Sequence, residues 1–184
     1  MPIISKQIRI RYPEHFQVGE HSIVDDFCYF STKVRIGSFS HVASGCSVAG
    51  GKDRLFTLGD YCSLSSGVKI WCASDDFVNG LICIPPPGAE DVKEYLIAGD
   101  VIMEDFTAVG ANSVVMPRNR IPEGTTIGAL SFVPADYPFK PWSVYAGIPI
   151  RLIKPRNRDA VLRQAEKLKA RMRQLADKGD LTRG

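Results

Sequence analysis

The chain has little of what a disulfide framework, a zinc site or a membrane-spanning helix is expected to need. Its five cysteines, Cys28 to Cys83, are odd in number and contain no CxxC pair. Such spacing fits reduced thiols acting as small apolar residues, and with it a cytoplasmic compartment. The three histidines (His15, His21, His41) have no metal-ligand spacing with one another or with cysteine, so no metal site is expected. No apolar run approaches the ~20 residues of a membrane span, and no signal peptide is recognisable. The phosphate-binding loops GxxxxGK[ST] and GxGxxG are missing, as is GxSxG. A net charge of +3 over 184 residues is too small to imply a nucleic-acid partner. That charge is uneven, because residues 151–184 hold eleven Lys and Arg against four Asp and Glu.

What the chain does have is a period of six. From Val18 it divides into VGEHSI, VDDFCY, FSTKVR, IGSFSH and VASGCS. The first place of each six is apolar (Val18, Val24, Phe30, Ile36, Val42, then Val48), and the fifth is small (Ser22, Cys28, Val34, Ser40, Cys46). The same frame returns at Leu58, Leu64 and Ile70, and again at Ile97, Met103, Val109, Val115, Ile121, Ile127 and Val133. Six residues suffice for one short extended segment and a bend. Places one and five fall on the same strand face, since strand side chains alternate. No single segment can bury its apolar face, so the segments must stack. A helix is excluded along this ladder, because apolar residues recur at six rather than at three and four. Glycines at the second place (Gly19, Gly37, Gly59, Gly110, Gly128) are expected to supply freedom for a tight bend.

The period breaks twice. Ten residues separate Val48 from Leu58, so AGGKDRLFT bulges from a corner. Twenty-seven separate Ile70 from Ile97, which predicts an excursion over about 72–96 that contains Asp75, Asp76, Phe77 and Pro85 to Pro87. Beyond Val133 a segment rich in proline and aromatics caps the ladder. Leu162, Ala165, Leu168, Met172 and Leu175 then recur at threes and fours, predicting a helix from about Arg158 to Lys178 with Gly179 as its stop. The expected division is a repeat domain over 1–156, followed by a helix and tail over 157–184.

The hexad pattern resembles the hexapeptide-repeat family. The resemblance implies an all-β fold, a left-handed parallel β-helix of triangular section, here with a C-terminal α-helix. VGANSVV (Val109–Val115), IGALSFV (Ile127–Val133) and WSVYAGIPIRLIKPR are similar to the closing coils and terminal signature of its sugar and chloramphenicol-type acetyltransferases. By that resemblance acetyl-coenzyme A is the cosubstrate. Gly110, Ala111, Gly128 and Ala129 would flank its pantetheine arm, while Arg151 and Lys154 would meet its phosphates. The family also implies a homotrimer with active sites between subunits.

The acceptor side departs from the family. Where galactoside- and xenobiotic-type members carry a loop histidine as general base, this chain has Asp75, and no histidine occurs in 76–184. His41, at a coil corner, is the remaining candidate base. Asp75 or Asp76 of the adjacent subunit would orient it. The expected activity is acetyl transfer to a hydroxyl of a sugar or nucleotide sugar in surface-polysaccharide synthesis. Transfer to an amino sugar is the alternative, since an amine needs less help from a base, and a non-catalytic β-helix scaffold is the other. The carbonic-anhydrase branch of the fold needs three zinc-binding histidines, and of the three in this chain only His41 lies at a plausible corner.

Overall fold

Two- and three-residue strands stack in parallel on three faces in the computed structural model, which describes residues 1–177. Face one carries Ile3–Ile4, Ile23–Val24, His41–Val42, Ser63–Leu64, Ala108–Val109, Thr126–Ile127 and Ser143–Ala146, and the antiparallel strand Arg151–Pro155 closes it. Face two stacks Arg9–Ile10, residues 29–30 and 47–48, Lys69–Trp71, Val114–Val115 and Phe132–Val133. Face three stacks Phe16–Val18, residues 34–36 and 56–58, Val101–Met103 and Arg120–Ile121. The result is a β-helix whose interior holds the apolar first places. Phe30, Val42, Leu64, Ile70, Met103 and Val109 are fully buried there.

Beside that apolar column runs a column of small residues that ties the coils together. The Ser40 hydroxyl donates to the Gly59 carbonyl at 2.8 Å and accepts the Cys62 amide at 2.9 Å. Ser22 and Ser113 make the same pair of contacts one coil further on. Among the described residues no buried side-chain nitrogen or oxygen lacks a partner, as a dry prism requires.

Three details differ from the sequence expectation. The second-place glycines are not bend residues, because none of them has a positive φ. They are there because the next coil leaves no space. A Cβ on Gly19 would lie 2.6 Å from the Gly37 carbonyl carbon, and one on Gly37 would lie 2.6 Å from that of Gly59. The left-handed corners fall instead at the fourth place, and one corner is aromatic: His21, Phe39, Tyr61, Phe106 and Trp142 have φ between 51° and 60°. Each such corner costs about 1–2 kcal/mol. The first four rings stack at 5.1, 5.0 and 5.0 Å and Trp142 closes the column tilted at 6.1 Å, which returns about 0.5–1.5 kcal/mol per pair. Finally, Ile97 is not a core position. It pairs with Ser74 in an antiparallel arm, Ala73–Asp75 against Leu96–Ala98, and the coil resumes at Val101–Met103.

The helix Arg158–Asp177 lies along the aromatic corner. Val161, Gln164, Ala165 and Leu168 approach Tyr61 and Phe106, and the Arg158 guanidinium sits 5.5 Å from the Trp142 ring. Arg156 Nη1 anchors the junction by donating to the Gly124 carbonyl at 2.9 Å and to that of Phe106. The predicted stop at Gly179, with Lys178, falls outside the described residues.

Candidate active site

Strand pairing decides which predicted residues can meet, since partners in register lie about 4.8 Å apart. On face one, the row that contains His41 runs Ile23, His41, Ser63, Ala108, Thr126, Val144 and Lys154. Two residues along, a parallel row passes through Ala43, Ser65, Gly110, Gly128, Ala146 and Arg151, the last paired with Ala146. His41, Gly110, Gly128, Arg151 and Lys154 therefore share one face, with Ala111 and Ala129 just beyond the second row. From His41 to Lys154 is five register steps, about 24 Å. Arg151 and Lys154 are exposed at its far end and form no ion pair among the described residues.

The small side chains in this track have a structural cause of their own. A Cβ on Gly128 would press on the Ala146 Cβ at 3.0 Å, and one on Gly110 would collide with the backbone of Gly128 and Ala129. Coil stacking thus leaves a smooth strip of backbone that ends in two cations. Such a strip accepts an extended amide-bearing chain with a phosphate tail, by close approach along its length and charge-assisted hydrogen bonds at its end.

His41 is half exposed, and its Nε2 lies 2.8 Å from Asp25 Oδ2 of the same chain. Asp25 was not among the residues singled out by sequence. The two are sixteen residues apart, which in an eighteen-residue coil means neighbouring rungs of one face; wrapping the sequence at eighteen would have revealed the pair.

The expected orienting carboxylates are engaged elsewhere. Asp75 Oδ1 pairs with Lys93 Nζ at 2.5 Å, and that ammonium also donates to the Cys83 carbonyl at 2.9 Å, fastening the two sides of the arm. Asp76 closes a turn, accepting the Val78 amide at 2.9 Å, the Asn79 amide at 3.2 Å and the Asn79 side-chain amide at 2.9 Å. The Asn79 side chain first, then the two backbone amides, hold the Asp76 carboxyl below the usual carboxylate range. Within the chain neither aspartate contacts His41, whose Nε2 meets Asp25 instead. The arm leaves from the end of face two, whereas His41 stands on face one.

No family model matches the chain. Among curated proteins it is 30% identical over 148 residues to a dTDP-4-amino-4,6-dideoxy-D-glucose acyltransferase of Escherichia coli, covering 79% of this chain and 74% of that protein. It is 27% identical to WbbJ of E. coli K12, assigned to O-acetyl transfer in lipopolysaccharide biosynthesis, over 83% of this chain and 75% of WbbJ. Among solved structures it resembles AntD, an N-acyltransferase from Bacillus cereus crystallised with dTDP and 3-hydroxybutyryl-CoA. The TM-score is 0.81 at 34% identity, covering 92% of this chain and 87% of AntD.

Proposed function

The chain belongs to the hexapeptide-repeat acyltransferases of the left-handed β-helix fold, and from that premise we propose that it transfers acetyl from acetyl-coenzyme A to a nucleotide-linked sugar. The observation that carries this reading is the likeness to AntD, a relative bound to both a nucleotide and an acyl-coenzyme A, joined to the strip on face one. In this reading Gly110, Ala111, Gly128 and Ala129 flank the pantetheine arm. Arg151 and Lys154 meet the phosphates, which are strong anionic acceptors for such cations. His41 removes the proton of an attacking sugar hydroxyl, in reach of a thioester held along the same face. The hydroxyl oxygen bonds to the thioester carbonyl carbon, and the carbon–sulfur bond breaks. The departing thiolate takes the proton from His41.

A second reading, transfer to an amine, is favoured by the likeness to an acyltransferase of an amino sugar at 30% identity and to the N-acyltransferase AntD at 34%. In that case the amine supplies its own nucleophilic lone pair and His41 matters little. Asp75 and Asp76 serve either reading by shaping the arm, through the Lys93 pair and the closed turn.

The arm exposes Phe77, Val78, Leu81, Ile82 and Ile84, the last at 95%. Apolar side chains displayed together call for a covering surface. This supports a homotrimer in which each arm lies on its neighbour and the active sites form between subunits; a cytoplasmic location is part of the same proposal. Sedimentation equilibrium at three times the 20.3 kDa chain mass is the expected result.

The activity is tested by thiol release from acetyl-coenzyme A with two acceptors, dTDP-4-amino-4,6-dideoxyglucose and the matching nucleotide sugar with a hydroxyl at C4. Release with the hydroxyl sugar supports the first reading, and release with the amine alone supports the second. No release with any nucleotide sugar would return the scaffold.

A further inference from the structure

We propose that Asp25 and His41 form a catalytic dyad within one subunit, with Asp25 as the positioning residue and His41 Nδ1 as the base. This rests on the hydroxyl-transfer reading above. The pair is built by the coil. His41 and Asp25 stand on adjacent rungs of face one, because Ile23 pairs with His41 and Val24 with Val42, which sets Asp25 one coil before and two residues along. Val24 and Val42 point inward and are sealed at 1% and 0% exposure, so their neighbours are turned outward. His41 opens the strand His41–Val42, and Asp25 directly follows the strand Ile23–Val24 with its amide donating to the Val42 carbonyl at 2.9 Å, so the 2.8 Å contact between Nε2 and Oδ2 does not depend on the arm.

The chemistry follows from which nitrogen is occupied. A carboxylate can only accept, so the Asp25 contact fixes the proton on Nε2 of a neutral imidazole. Nδ1, which has no hydrogen-bond partner among the described residues, is left with the lone pair. When Nδ1 takes a hydroxyl proton, Asp25 faces the resulting imidazolium directly and stabilises it.

The histidine content provides an internal control. His41 and His15 are equally exposed, at 45% and 46% of the side chain. Among the described residues the one carboxylate within 4 Å of His15 is that of Glu14, at 3.8 Å, beyond hydrogen-bonding distance. Diethyl pyrocarbonate should therefore acylate His41 several-fold faster than His15, read residue by residue by mass spectrometry. Asp25→Ala should bring the two rates together. Equal rates in the unaltered protein would overturn the dyad whatever the enzyme's acceptor proves to be.

The second arm is a double-mutant cycle on thiol release with the hydroxyl nucleotide sugar. His41→Ala should lower kcat by about 10²–10⁴-fold. Asp25→Ala should lower it by about 10–10²-fold with KM for acetyl-coenzyme A unchanged, and Asp25→Glu should recover part of the loss. In the His41→Ala background Asp25→Ala should have no further effect, since it acts through the imidazole. Independent, multiplying losses would assign Asp25 to the fold instead. A protein inactive on every sugar, yet with fast His41 acylation that depends on Asp25, would overturn the function and keep the dyad.

Discussion

Replacing Ser40 by alanine tests whether the small fifth-place residues hold the coils together or merely fill space. Ser40 is 2% exposed, and its hydroxyl serves two backbone groups of the next coil, the Gly59 carbonyl at 2.8 Å and the Cys62 amide at 2.9 Å. Alanine removes one oxygen and leaves both groups without it in a place no water reaches. An orphaned buried group costs about 1–3 kcal/mol, so the pair comes to about 2–4 kcal/mol after local relaxation. For a chain of this length that lowers Tm by about 5–15 °C. Ser40→Cys is the control, because Cys62 occupies the equivalent place and its thiol donates to the Glu104 carbonyl at 3.2 Å. It should cost less than alanine. Melts followed by circular dichroism must be run at one protein concentration, since any subunit association shifts Tm by mass action. A Ser40→Ala protein that melts within a degree of the original, or a cysteine variant worse than alanine, would refute the reasoning.

Three further outcomes follow from the same prism. Ile127 is 3% exposed at an inward place, so Ile127→Asp buries an unpaired charge at a cost of several kcal/mol and should abolish soluble protein. The exposed His21→Ala loses only a ring stacked on Phe39 and should fold, as size-exclusion yields would report. Burial pushes the thiols of Cys62 and Cys72 up to about 11 and about 12, and Cys28 and Cys46 are as deeply buried. Iodoacetamide at pH 8 should label Cys83 alone in the native protein, and labelling of Cys62 or Cys72 would contradict the packing. The depressed Asp76 pKa makes its turn's contribution fully present above the ordinary carboxylate value of ~3.9, and lost as pH falls through the lowered value. The amide resonances of Val78 and Asn79 should therefore titrate below that value, and a midpoint at or above it would dissolve the turn.

How far the sequence could be read depended on whether the feature repeats. Val24, Phe30, Ile36 and Val42 announce the core because each occupies the same place in its six, and burial follows directly. The glycines were visible but misassigned: a one-dimensional pattern cannot distinguish a residue that must bend from one that must let the next coil past. Phe39, Tyr61 and Phe106 recur at the fourth place too, yet the left-handed φ they share disguises them, since aromatic residues ordinarily avoid it. Ile97 fits the period by coincidence; inside an arm that has left the coil, pairing with Ser74 overrides the hexad. On face one, the row positions of His41 and of Gly110 and Gly128 could be read from the period. Asp25 could not, because its partnership crosses coils, and the carboxylates of the arm drew attention by their adjacency.

Coenzyme binding tests most directly the claim that face one is a track ending in Arg151 and Lys154. Calorimetry with coenzyme A on the unaltered protein and on Arg151→Ala/Lys154→Ala should show affinity weakened by about 10–10²-fold, the loss of charge-assisted hydrogen bonds worth about 1.5–3 kcal/mol each, partly offset by solvent at this exposed end. Circular dichroism should be unchanged. Identical dissociation constants for the two proteins would contradict the track and leave these residues as no more than the strand that closes face one.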